Sequence, residues 1–133
     1  MRSLARETVF KFLFAQLFNP SDEELFAVLL KDDKLNDQDR QFACDLLNVV
    51  QNNKQKYFGV IEEMAEGFTL SRLFAADKCA LLIGLAELDN FKDTPVVVAI
   101  DEAVKLAARF STEKSTDFVN GLLAEYAKGN NNG

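Results

Sequence analysis

The stretch DKCALLIGLAEL, residues 77–88, constrains the fold more than any other part of the chain. Wound into a helix, it is apolar nearly all round. Such a helix has no face to rest in water, so it belongs at the buried centre of a bundle. The rest of the chain must then supply helices with one apolar side to surround it. The spacing of apolar residues predicts that it does. Proline occurs only at Pro20 and Pro95 and glycine is sparse, so the turn-rich alternation of a β protein is missing.

The first helix is expected over 3–18. Phe10, Leu13 and Leu17 form its apolar face, widened by Val9 and Phe12, while Glu7, Thr8 and Lys11 mark the polar side. Phe14 and Phe18 flank that polar side. NPSDEELF then stops one helix and starts a short second one ending near Lys31, with Ser21 and Glu24 at capping-box spacing. Asn36 is positioned to cap a third helix through DQDRQFACDLLNVVQ, with Phe42, Ala43, Leu46, Leu47, Val49 and Val50 inward. NNKQK weakens it, and a fourth helix, read also as a bent continuation, covers YFGVIEEMAEG up to Gly67. FTLSRLFAA connects to the central segment. Thr94 and Pro95 open the next helix; Val97, Ile100, Val104 and Ala107 stack along it, with Asp101, Lys105 and Arg109 opposite. A last helix runs from about Thr112 to Lys128, and residues 129–133 read as a frayed tail. The expectation is an all-α fold of seven helices in one domain, residues 1–128. Its N-terminal half is about 1–67 and its C-terminal half about 77–128, sharing one core.

A chain of 133 residues that is 48% apolar, with twelve phenylalanines, can bury a core without a disulfide or metal. Cys44 and Cys79 read as small core residues. They fit a reducing compartment. No run of 18 apolar residues is present, and the start MRSLARETVF lacks a signal-peptide core, so a cytoplasmic location is expected.

The absence of histidine removes imidazole acid–base work and histidine-based nucleophile triads. Two isolated cysteines do not make a zinc site, and no glycine-rich phosphate loop occurs. No catalytic residue, metal or cofactor is expected, and the chain does not read as an enzyme. Recognition is the alternative. The net charge of −6 argues against a general nucleic-acid coat. The distribution is uneven, however. Residues 1–19 carry Arg2, Arg6 and Lys11 against Glu7 alone, while residues 20–39 are rich in Asp and Glu. Cations at a helix N-terminus oppose its dipole by ~0.3–1 kcal/mol each. That makes a phosphate-binding role for the two arginines more natural than a structural one. Ordinary solubilising charge stands beside it.

The C-terminal run VVVAIDEAVKLAARFSTEKSTDFVNGLLAEY closely resembles the signature of the NusB family of bacterial transcription antitermination factors. That signature is a proline-led helix with an Ala-Ile-(Asn or Asp)-Glu-Ala core, then Leu-Ala, a Phe-Ser or Phe-Gly turn, a serine and Phe-Val-Asn-Gly. LSRLFAADKCALLIGLAEL is similar to the family's central helix, and LARETVFKFLFAQLF to its opening one. The resemblance implies seven helices in two perpendicular three-helix sub-bundles around a long first helix. It implies binding of the boxA element of nascent RNA together with the ribosomal protein NusE, so that RNA polymerase reads through terminators, notably in ribosomal RNA operons.

The resemblance also distributes roles. The family's arginine-rich start corresponds to residues 2–6, where only Arg2 and Arg6 keep the charge; Lys11 and Lys114 supply part of the difference. Phe118 matches an aromatic tied to RNA, and is read either as core or as a stacking platform. Asp77 matches an acidic position tied to NusE, Lys78 lies beside it, and Phe14 matches an aromatic near the same surface. Leu82 stands where the family usually has arginine. Asn120 and Gly121 read as architectural: the glycine would let the last helix press on a neighbour such as the first helix, and the amide would bond backbone exposed at the crossing. RNA contact by Asn120 is the alternative. A protein-only module, such as a homodimer that hides the first helix, is the other functional reading.

Overall fold

The computed structural model describes residues 2–65 and 73–130, which form six α-helices. They are α1 (Arg2–Phe18), α2 (Leu25–Leu29), α3 (Asp37–Met64), α4 (Ala75–Asn90), α5 (Val96–Phe110) and α6 (Glu113–Asn130). No strand occurs among the described residues. The all-apolar segment lies in α4, where every residue from Cys79 to Glu87 is buried. Four helices enclose it, because α4 packs on α1, α3, α5 and α6. The first helix also leans on α2, α3 and α5. One contiguous core runs through all of these contacts. No helix among the described residues is long and apolar enough to cross a membrane.

Six helices rather than seven result because α3 runs unbroken through NNKQK. Asparagine lowers helix propensity by only a fraction of a kcal/mol. Against that stand anchors on both sides of the polar stretch: Val50, Tyr57 and Ile61 are all buried. Gln51 Nε2 and Lys54 Nζ both donate to Gln16 Oε1 of α1, at 3.0 and 2.7 Å. The start of α3 is the expected one. Asn36 Oδ1 accepts from the Asp39 N–H at 2.8 Å, and Asp39 Oδ2 accepts from the Asn36 N–H at 3.1 Å. At α2 the capping box expected of Ser21 and Glu24 does not form. Ser21 Oγ donates to Asn19 Oδ1 instead, and Asp22 Oδ1 accepts from the Leu25 N–H. Gly67 and most of the connection after it lie outside the described residues.

The buried side of α5 is Ala99, Ala103, Leu106 and Ala107, offset from the expected stripe; Val97 is exposed. The reason is close packing against α4. A Cβ on Gly84 would lie 2.5 and 3.1 Å from the two δ-methyls of Leu123 and 3.2 Å from Ala103 Cβ. The three helices α4, α5 and α6 meet at that point, and small residues let them approach. Gly84 therefore does what the sequence reading assigned to Gly121. Gly121 itself is exposed, and a Cβ there meets no atom within 4 Å. Asn120 is exposed too and its side chain makes no hydrogen bond among the described residues, so the architectural role expected of this pair is not what the fold uses. The main neighbours of α6 are α5 and α4 rather than α1. Cys79 is buried as expected, whereas Cys44 lies on the outer face of α3. Helix α6 continues to Asn130, two residues into the expected tail.

A polar knot ties α3, α4 and α6 together on one side of the core. Asp89 accepts from the Tyr126 hydroxyl at 3.0 and 2.9 Å and from the Tyr57 hydroxyl at 3.1 Å. Asn90 Nδ2 donates to the Tyr57 oxygen at 3.0 Å, and Lys56 approaches Asp89 at 3.7 Å. Burial, followed by the charge of Asp89, pushes the Tyr57 phenol up. Burial and the hydrogen bond to Asp89 push that of Tyr126 up to about 12.

Two outcomes are expected. Gly121→Ala should raise stability by ~0.5–1 kcal/mol through helix propensity alone. Gly84→Ala should lower it by ~1–3 kcal/mol, because overpacking outweighs the same propensity gain; denaturant melts of the two variants read the opposite signs. Both phenols ionise later in the folded chain than in the unfolded one. Their contribution to stability is thus fully present below about pH 10, the ordinary tyrosine value, and is lost as pH rises beyond it. These are the chain's only tyrosines and it has no tryptophan. Tyrosinate absorbance should therefore rise together with loss of helical circular dichroism, and tyrosinate forming in a fully helical protein would contradict the knot.

Candidate functional site

The cations expected to read RNA are distributed unevenly. Arg6 is buried, its side chain 3% exposed. Its Nε and Nη2 donate to Glu87 Oε2 and Oε1 of α4 at 2.6 and 2.8 Å, a bidentate pair, and Nη1 lies 3.6 Å from Glu102 Oε1 of α5. The guanidinium also sits 5.2 Å from the centre of the Phe42 ring. This arrangement corrects the sequence reading, in which the dipole cost made a structural role for Arg6 the less natural one. A charge-assisted bidentate pair is far stronger than the dipole term. In this position the side chain offers nothing to a phosphate.

Arg2 is different. Its guanidinium lies 4.4 Å from the centre of the Phe42 ring and within 3.4 Å of both Asp93 Oδ2 and Thr94 Oγ1. Its side chain remains 47% exposed. It is a surface cation, loosely held. Lys11 is exposed, one turn beyond Glu7. With Phe10, Phe14 and Phe110 it lines a small cleft of about 190 Å³. The aromatic rings form a ladder there. Phe110 stacks on Phe10 at 4.7 Å, Phe10 on Phe14 at 6.1 Å, and Phe14 meets Phe18 at 5.2 Å. Phe14 is 37% exposed and Phe18 70%.

A second cleft, of about 430 Å³, opens where α4 and α6 begin, lined by Phe74, Asp77, Lys114, Ser115 and Phe118 among others. Asp77 is buried. Ser115 Oγ donates to its Oδ2 at 2.9 Å, while its Oδ1 has no hydrogen-bond partner among the described residues. Lys114 is exposed at the rim and Lys78 is half-buried. Phe118 is half-buried: it packs on the core and also lines this cleft. The described structure thus brings Lys114, Phe118 and Asp77 together. It does not bring Arg6 to them. Arg6 meets α4 at Glu87 and Phe118 meets it near Asp77, ten residues or about 15 Å away along the helix. Leu82 is buried in the core.

Sequence reasoning missed Glu87, Glu102 and Arg109 as partners of α1. Ser3 Oγ donates to Glu102 Oε1 at 2.6 Å, and Arg109 pairs with the buried Glu7. Glu7 and Thr8, read as polar-side residues, are both buried; Thr8 donates to the Leu4 carbonyl. One signal was available: Glu87 is the lone charge in the run 79–88, and a buried charge requires a partner.

Breaking the Arg6–Glu87 pair from either side should cost ~3–5 kcal/mol, since each deletion strands a buried charge. Arg6→Met and Glu87→Met are expected to melt well below the parent, with the double variant recovering much of the loss. Equal additivity of the two single effects would show that the charges are not coupled.

The chain is similar to known proteins over nearly its whole length. The model of the NusB family matches residues 3–128. The transcription antitermination protein NusB of Acetivibrio thermocellus is 34% identical over 96% of this chain and 88% of its own length. The T. maritima NusB structure superposes with a TM-score of 0.89 at 31% identity, covering 96% of this chain and 91% of that one. A crystal structure of antitermination factors NusB and NusE in complex with dsRNA matches with a TM-score of 0.86 at 25% identity, covering 96% of each chain. With its central helix, its Phe-Val-Asn-Gly element and nearly its whole length accounted for, the chain belongs to the NusB family.

Proposed function

We propose that this protein is a transcription antitermination factor that binds boxA RNA together with NusE and helps RNA polymerase read through terminators, notably in ribosomal RNA operons. The observation that carries the reading is the match, over 96% of the chain, to a NusB structure bound to NusE and RNA, alongside curated relatives that are antitermination proteins. It acts in the cytoplasm, where nascent RNA and ribosomal protein are both present, and by recognition rather than catalysis.

Arg2, Lys11 and Lys114 supply phosphate contacts and Phe118 offers a half-exposed ring for base stacking. Phe14 faces the protein partner, extended by the exposed ring of Phe18; the inward Asp77 lines the second cleft, and the half-buried Lys78 follows it on α4. Arg6 contributes by holding α1 on α4 and α5, not by touching RNA. An acidic protein with few free cations should bind RNA weakly alone and more tightly with NusE, whose surface adds contacts.

Titration of labelled boxA RNA with and without NusE tests this. Binding should strengthen when NusE is added and weaken as salt rises. Arg2→Ala should lower the salt slope by about 0.7, the value for one phosphate on a single strand. A protein that ignores boxA RNA at low salt in the presence of NusE would end the proposal.

A further inference from the structure

One buried carboxylate in this fold is only half satisfied. Asp77, in the first turn of α4, is 4% exposed. Its Oδ2 accepts from Ser115 Oγ at 2.9 Å, and its Oδ1 accepts from nothing among the described residues. Leaving a buried charged group short of a partner is costly, and native structures keep few such atoms. Donors stand close by, yet they are engaged elsewhere. The Ser111 and Thr112 hydroxyls lie 3.0 Å from Ser115 Oγ, and Thr112 Oγ1 accepts from the Ser115 N–H at 3.2 Å. These bonds fix Ser115, and Ser115 fixes Asp77 with one oxygen unpaired.

Asp77 lines the cleft of about 430 Å³ where α4 and α6 begin, between walls that include Leu73, Phe74 and Phe118. Phe74 is 59% exposed. Apolar walls around a buried anion suit a long side chain with a cation at its tip. The methylenes of a Lys or Arg lie along the rings while the head group reaches the carboxylate. The chain does not fill that place itself. Lys114 is exposed at the rim and is not bonded to Asp77 Oδ1, and Lys78, next to Asp77 in sequence, does not line the cleft.

Phe118 shares this cleft, so a base stacked on its ring sets a phosphate near the rim. A cleft of this volume is about 9 Å across, within the Debye length of ~10 Å at 0.1 M salt, so an unpaired carboxylate inside it repels that phosphate. Glu113 and Asp117 flank Lys114 on α6, but both are exposed and outside the lining, where water and salt screen them. Asp77 is buried and screened less. The family resemblance ties this acid to NusE; its effect on RNA is a separate matter.

We infer that Asp77 is an electrostatic gate on the RNA surface: its unpaired carboxylate opposes a strand at Phe118 until a Lys or Arg side chain of the protein partner enters the cleft and pairs with it. This rests on the function proposed above and gives the partner's effect a cause. NusE strengthens RNA binding by neutralising a charge as well as by adding contacts. Neutralisation acts through space, so no helix has to move. The coupling is reciprocal: RNA seated at Phe118 strengthens the hold on the partner's cation by the same factor.

The test uses Asp77→Asn, which removes the charge but keeps the shape and an acceptor for Ser115, and Asp77→Glu, which keeps the charge. Labelled boxA RNA is titrated onto each protein, with and without NusE, across a salt series. Asp77→Asn should bind RNA alone several-fold more tightly than the parent at low salt, with the gain shrinking as salt rises. NusE should then strengthen its RNA binding by a smaller factor than it does for the parent. Asp77→Glu should restore weak binding alone and a large gain with NusE. A purely structural Asp77 gives the opposite sign, since a disturbed cleft weakens RNA binding. Where Asp77→Asn melts early, Asp77→Ala repeats the comparison, because Ser115 can then donate to Ser111 or Thr112. A folded, uncharged variant that binds RNA alone no better than the parent overturns the gate and leaves the general function standing. Tighter binding alone with an undiminished gain from NusE overturns the pairing with a partner cation. A parent that binds no RNA even with NusE overturns the function and the gate together.

Discussion

A helix with no polar face must be enclosed on every side, and the rest of this fold answers that requirement. Four helices close around α4, and the one charge inside its buried run, Glu87, must be neutralised where it lies. Arg6 does so from α1. The same guanidinium approaches Glu102 on α5 and the ring of Phe42 on α3. One side chain thereby registers three helices against the fourth. Buried ion pairs add little net stability compared with apolar packing, but mismatching one is expensive. The pair therefore acts chiefly to exclude other registers of α1 on the core.

That arrangement divides the basic residues of the first helix into two kinds. Arg6 is inside and belongs to the architecture. Arg2 and Lys11 are outside and remain available. A chain with a net charge of −6 has few cations to spare for RNA, so their positions matter more than their number. Long-range attraction is weak for such a molecule, and the phosphate contacts must come from local clusters. Among the described residues, cations line the groove between α1 and α5 and the Lys114–Phe118 rim where α6 begins. The second also holds aromatic rings, Phe74 and Phe118, beside its cation.

Much of the architecture could be read from residue order. The buried centre, the Asn36 cap, the Thr94-Pro95 opening and the extents of α1, α5 and α6 follow from local spacing and capping chemistry. The break assigned within α3 was legible as weak propensity and was still wrong. Burial of Val50, Tyr57 and Ile61 on one face is a tertiary contribution that outweighs a few tenths of a kcal/mol per asparagine. The glycine question went the same way. Gly121 stood out because Asn-Gly is unusual inside a helix, whereas Gly84 hid in an apolar run; only the meeting of α4, α5 and α6 reveals which of them admits a close approach.

Residue patterns by themselves determined that the chain is helical, which helix is central, and which family it resembles, because these depend on periodicity and on motifs contiguous along the chain. The tertiary structure alone decided which charges are free. Arg2 and Arg6 are alike in sequence and sit one turn apart, yet one faces solvent and the other a carboxylate eighty-one residues away. Lys34, Lys105 and Arg109 are scattered through the sequence and meet only across a groove. Coulomb interactions depend on distance in space, and distance in space between remote residues is what the packing of the helices sets.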